Sequence, residues 1–365
     1  IDAGQNWILN NYFHPTAGIP AGVGLNVPVV HADKHLYAFH PLDPTGSTFF
    51  ECNDGGIYKT TNGGSTWNNI SDGLDIGQIY RIATSSTVND KVIIGMQDNG
   101  NKILSNNLWD DTSIPGGDGM ECIIDYTNAN IQYASYGNGF IWRTIDDWAT
   151  NTSIVDVDNN TGWFTVDGPG AWVTPYVINP NNHNSLAVGK FKVHETNDMG
   201  DTWNDISDIF DSTSFIISMA YAPSNSLIMY VATQPSAVLA EILNQPMAIS
   251  EVHKTTDGGN NWSQIGFSAN SDYVTSIAVD QNNPHRIWVT KSAYTANNKV
   301  WEYDGSNWID ISGTLPNVPV NSIVYENNSN DALYIATDVG VFYRNGNMND
   351  WIQLDNGFPN VVVTE

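Results

Sequence analysis

The stretch KTTNGGSTWNNIS, residues 59–71, sets an Asn, two glycines and a Trp at fixed offsets, then returns to an apolar residue before a Ser. ETNDMGDTWNDIS (195–207) and KTTDGGNNWSQIG (254–266) repeat it. Aligned on the Trp, the pattern is Ser/Thr-x-Asp/Asn-x-Gly-x-x-Trp. Thr60, Asn62, Gly64 and Trp67 fit it, as do Thr196, Asp198, Gly200 and Trp203, and Thr255, Asp257, Gly259 and Trp262. Asp2, Gly4 and Trp7 enter it halfway, and weaker copies end at Trp308 and Trp351. Trp109 and Trp148, which lack the glycine, are read as the closing residues of two more.

From Trp67 to Trp351 the spacing averages about 47 residues, in the range of repeats built from four strands. Between tryptophans each unit reads as short β-branched and aromatic runs separated by Asn, Pro and Gly turns, such as VNSIVYENN, ALYIATDVG, VFYRNG and WIQLD. Four strands make one propeller blade. The motif suits the turn between strands three and four. Glycine supplies positive φ, the Asp or Asn side chain bonds backbone N–H groups, and the Trp covers the turn as it opens the outer strand. The fold class expected is all-β, a β-propeller of seven full blades over residues 1–365. Residues 1–10 read as a stray outer strand and 358–365 (compare 317–326) as a stray inner one. Ile1 is no initiator Met, so the chain reads as a piece of a longer secreted protein with flanking domains.

Charged residues are only 14% of the chain, and the net charge is −26. Of 39 acids 31 are Asp, a turn former more than a helix former. This balance repels nucleic acid and anionic membranes, and no apolar run is long enough to span a bilayer. An acidic surface suits a soluble extracellular protein, and equally serves solubility alone. Cys52 and Cys122 form no CxxC and sit in apolar runs, where free buried thiols are the default.

The repeat resembles the Asp-box, or BNR, repeat of sialidases, sortilin-type propellers and family-74 glycoside hydrolases. VPVVHADKHLYAFHP, ECNDGGIYKTTNGGSTW, GMQDNG and PGGDGMECIIDY further resemble sortilin-like, family-74-like secreted proteins of Bacteroidetes-type bacteria. The resemblance implies an extracellular or cell-surface address and type IX secretion. It covers 1–150 clearly and the remainder through the repeats.

Several constellations could carry chemistry. His31, Asp33 and His35 alternate in VHADKH, and on a strand they would share one face. They suit a divalent metal, zinc or another, though no cofactor is required, or a hydrogen-bonded cluster fixing a loop. Asp98 in QDNG and Asp118 in GGDG lie on Gly-rich loops of consecutive blades. They suit the acid and base of glycoside hydrolysis, or turn formation or calcium coordination. Trp163, Phe164 and Trp172 fall outside the motif position and suit stacking on sugar rings, or packing between blades. Arg81, Arg143, Arg286 and Arg344 are the only arginines, which argues against a sialidase-type arginine triad. Two functions follow. One is a non-catalytic module binding polysaccharide or a cell-surface protein through its loop face. The other is a family-74-like polysaccharide hydrolase, or one propeller of it.

Overall fold

The computed structural model describes residues 30–31, 33–74, 77–110, 114, 117–156, 166, 168–267, 272–354, 357 and 361–365. Asp2, Gly4, Trp7, Trp163 and Phe164, with the strand expected at 1–10 and residues 358–360, lie outside the described residues. The described strands form seven four-stranded antiparallel sheets, each ordered along the chain from first strand to fourth, the blades of a β-propeller. Blades 1 to 7 occupy 34–69, 79–110, 119–155, 176–205, 214–264, 274–310 and 320–354. The chain divides into two compact units, 1–78 with blade 1 and 79–365 with blades 2 to 7.

In the second unit the core lies between blades rather than within them. Five apolar clusters each join neighbouring blades. One of them sets Trp288 and Val300 of blade 6 against Ile323, Ile335 and Trp351 of blade 7. Second strands such as Ile287–Lys291 are buried along their whole length, which explains their continuous β-branched and aromatic runs.

The repeated turns are closed by side chains. In blade 5 the Asp257 carboxylate accepts from Thr255 Oγ1 (2.9 Å) and from Asn261 N–H (2.9 Å), while Gly259 N–H donates to Thr255 Oγ1 (3.0 Å). Thr196, Asp198 and Gly200 repeat this, as do Thr60, Asn62 and Gly64. A Cβ at Gly259 would lie 2.6 Å from Ile206 O, so glycine also lets the turn touch the preceding blade. The tryptophans reach the same way. The indole N–H groups of Trp203, Trp262, Trp308 and Trp351 donate to the carbonyls of Ile154, Ile206, Ile265 and Ile311, at or just past the previous outer strand.

Blade 3 corrects the sequence reading. Thr144 and Asp146 hold its turn, and Trp148 occupies the glycine place at φ 65°, buried, with its N–H on Thr144 Oγ1. Trp148 is therefore not the closing Trp. Trp109 is exposed on the outer strand Leu108–Asp110. The insertion after the second strand of blade 5 forms the helix Ala237–Leu243, capped by Ser236 and by left-handed Asn244.

The innermost strands position the site. In blades 5, 6 and 7 each carries a bulge just before a serine: Ser218, Ser276 and Ser322. Ser218 Oγ accepts from Ile277 N–H of the next blade (3.1 Å), and Ser276 Oγ accepts from Ile323 N–H (3.4 Å). At the same register in blade 2 stands Arg81, and the bulge of blade 3 contains Glu121. The stretch 361–365 bridges blade 7 to blade 2. Val363 N–H donates to Thr337 O, Thr364 Oγ1 to Ile79 O, and Ile82 N–H donates to Glu365 Oε2 (2.7 Å).

Candidate functional site

The innermost strands of blades 2 to 7 converge on a polar channel of about 210 Å³, lined by Arg81, Glu121, Glu365, Ser218, Ser276 and Asn321 among others. Arg81 Nε donates to Glu121 Oε2 (3.2 Å), and its Nη1 donates to Tyr80 O (2.8 Å). Glu121 is largely buried, with 17% of its side chain exposed. Burial first, then the charge of Glu365, pushes its carboxyl up to about 8, against the pull of Arg81. Glu365 keeps surface open to solvent, yet protein crowds it, and its carboxyl is raised as well, by burial, against Arg81 and the Ile82 N–H.

The pH dependence follows from the sign. Both carboxyls hold a proton more tightly folded than unfolded, and for Glu121, between about 4.5 and about 8, the folded state binds a proton that the unfolded chain releases. The stability Glu121 contributes is complete below that window and is lost as pH rises through about 8, and Glu365 acts in the same direction. The melting temperature should therefore fall from about pH 5 to about pH 9, and fall less steeply in Glu121→Gln. Equal slopes in the two proteins would exclude this pair as the source.

At Tyr80, the residue before Arg81, the chain builds an aromatic mouth. Trp172 Nε1 donates to Tyr80 Oη (3.2 Å), and Tyr80 Oη donates to Gln97 Oε1 (3.0 Å). The indole lies against the backbone of Gly137, where a Cβ would come within 3.1 Å of the ring, and Asn138 N–H donates to Trp172 O. Trp172 is thereby held in place while 49% exposed. Tyr136 covers Gly117 in the same manner.

Asp98 and Asp118 border this mouth. Asp98 follows Gln97 at φ 58°, and its N–H donates to Asp118 Oδ1 (3.0 Å). The structure thus brings the two loops together, with one carboxylate accepting from the other's backbone. His31, Asp33 and His35 are not gathered. Asp33 at φ 54° breaks the alternation, and the strand begins at Lys34 with His35 inside a bulge. His35 pairs with Asp54, and the His31 ring lies over Gly55. Among the described residues these three do not form a group whose ligand atoms all lie within 4.8 Å of one another. Of the other arginines, Arg143 bonds Met199 O, Arg344 bonds Ile311 O, and Arg286 joins Glu302 and Asp331 across two blades.

Tyr80, Gln97, Arg81, Glu121 and Glu365 escape the sequence reading. The signal was present: Val274-Thr275-Ser276-Ile277 aligns with Val320-Asn321-Ser322-Ile323 and with Ile79-Tyr80-Arg81-Ile82. A charge in the serine column marks the channel.

The fold defines a β-propeller. No family model matches the chain, and no curated protein does. Among solved structures it is similar to an ancestral GH74 enzyme, with TM-score 0.57 and 16% identity, covering 87% of this chain and 46% of that one. A GH74 xyloglucanase from Xanthomonas campestris gives TM-score 0.57 and 14% identity, over 85% of this chain and 51% of that one. YCF48 bound to D1 peptide gives TM-score 0.51 and 12% identity, over 77% and 82%. The chain spans about half the length of the two GH74 enzymes.

Proposed function

We propose that this chain is a secreted or cell-surface module that binds glycan at the mouth around Trp172, without catalysis. The observation that carries the reading is the exposed indole fixed by Gly137 and Tyr80. A flat apolar ring beside amide, phenol and carboxylate groups matches a pyranose, whose faces are apolar and whose edge is hydroxylated. The GH74 names of two similar folds support a polysaccharide ligand, xyloglucan first. Flanking domains and type IX secretion belong to the same reading.

Retention of the 365-residue protein on immobilised plant, algal and bacterial polysaccharides tests it. Trp172→Ala should weaken binding at least about tenfold, or about 1.4 kcal/mol. Equal retention of parent and variant, or retention of neither, would remove the reading. Asp98 and Asp118 at the same mouth favour a second one, a GH74-like hydrolase. New reducing ends from the same panel, lost in Asp98→Ala or Asp118→Ala, would establish it instead.

A further inference from the structure

We propose that Val361–Glu365 is a proton-operated latch on the channel of the second unit, seated as a surrogate innermost strand and released when Glu121 and Glu365 both ionise.

Three contacts carry the seat. Val363 N–H donates to Thr337 O at the end of the second strand of blade 7 (2.9 Å), as Ile216 N–H donates to Lys190 O in blade 4 (2.9 Å). Thr364 Oγ1 donates to Ile79 O of blade 2 (2.8 Å), as Thr275 Oγ1 donates to Val320 O of blade 7 (2.5 Å). Glu365 Oε2 accepts from Ile82 N–H, as Ser218 and Ser276 accept from Ile277 and Ile323. Val363-Thr364-Glu365 therefore repeats Val274-Thr275-Ser276, with a glutamate where the blades carry serine.

A serine would satisfy Ile82 without charge, so the glutamate adds a titrating group to the same hydrogen bond. That carboxyl shares its seat with Glu121 and with Arg81, the one guanidinium among the residues lining the channel. With one proton between the acids, a single carboxylate faces Arg81. With none, two carboxylates compete for it in a confined space. The neighbouring groups do not relieve this. The Cys122 thiol is raised by burial and by both acids and stays neutral, and Tyr176, which donates to Glu121 O, is raised likewise. Asp338 reaches the stretch only through Asn321, whose amide donates to both Asp338 and Val363 O. Blades 5 to 7 present Ser218, Ser276 and Ser322, which do not titrate.

Pulsed hydrogen exchange on residues 1–365 tests the latch. Protection of the Val363 and Ile82 amides, corrected for intrinsic chemistry, is followed from about pH 6 to about pH 9. Both should lose protection together by about tenfold or more as pH rises, while Ile277 and Ile323, held by serines, stay level. Glu365→Ser keeps an acceptor and removes the acid, so protection should become independent of pH. Glu121→Gln should do the same, and if that variant fails to fold, Glu365→Ser decides alone. Flat protection in the parent, or an equal loss in Glu365→Ser, overturns the proposal.

Discussion

Gly95→Ala is expected to cost about 3 kcal/mol of stability, the upper end for overpacking a tight interior. The added Cβ would lie 1.9 Å from Met120 O and 2.7 Å from Gly119 C and Met120 N, all backbone atoms that no rotamer change can move aside. Gly119 meets Gly100 just as closely, so blades 2 and 3 touch main chain to main chain. The damage would reach the channel, because Gly95 pairs with Arg81 across its sheet and Met120 precedes Glu121. Separating Arg81 from Glu121 should disturb the pH dependence of stability as well as its size. Urea denaturation at two pH values checks both effects. A variant within about 0.5 kcal/mol of the parent would mean that the blades do not meet there.

Trp288→Ala should cost about 3–5 kcal/mol, the range for losing a fully buried large aromatic. Trp288 has no exposed surface and stacks on Tyr325 of the next blade, with centroids 4.9 Å apart and rings 16° from parallel. The Arg286 guanidinium also lies over the ring at 4.6 Å, and the Trp288 indole N–H donates to Glu302 Oε2 (3.1 Å). Truncation would open a cavity and strip one side from an arginine that joins Asp280, Glu302 and Asp331. Trp288→Phe keeps an aromatic face and loses the N–H, so it should cost less, about 1–3 kcal/mol. Thermal denaturation of the three proteins should rank them parent, Phe, Ala. Phe and Ala equal would show that the hydrogen bond, not the stack, dominates.

The blades were legible because their turns are closed by local hydrogen bonds that demand particular side chains at fixed offsets. Thr255, Asp257 and Gly259 have few substitutes at those places. Blade 3 shows the limit. There Thr144, Asp146 and Thr150 hold the turn without a glycine, and their bonds let Trp148 adopt a left-handed backbone. The spacing of the histidines shows a related limit: Asp33 has a positive φ and lies just outside the strand, so the alternation of His31, Asp33 and His35 does not carry through it.

The candidate site was only partly legible. Trp172 stood out because no structural rule accounted for it. Arg81, Glu121 and Glu365 come from three distant segments and are joined by register alone, which no local window contains. Comparing innermost strands column by column would have exposed the first of them.

The indole contacts also have a direction. Each of the four tryptophans that donate to a neighbouring blade reaches back to a carbonyl 40–56 residues earlier in the chain, never forward. When such a tryptophan leaves the ribosome, its anchor has already been made, and domains synthesised first generally fold first. The second unit can therefore grow during translation like a wall laid course by course, each new blade gripping the last.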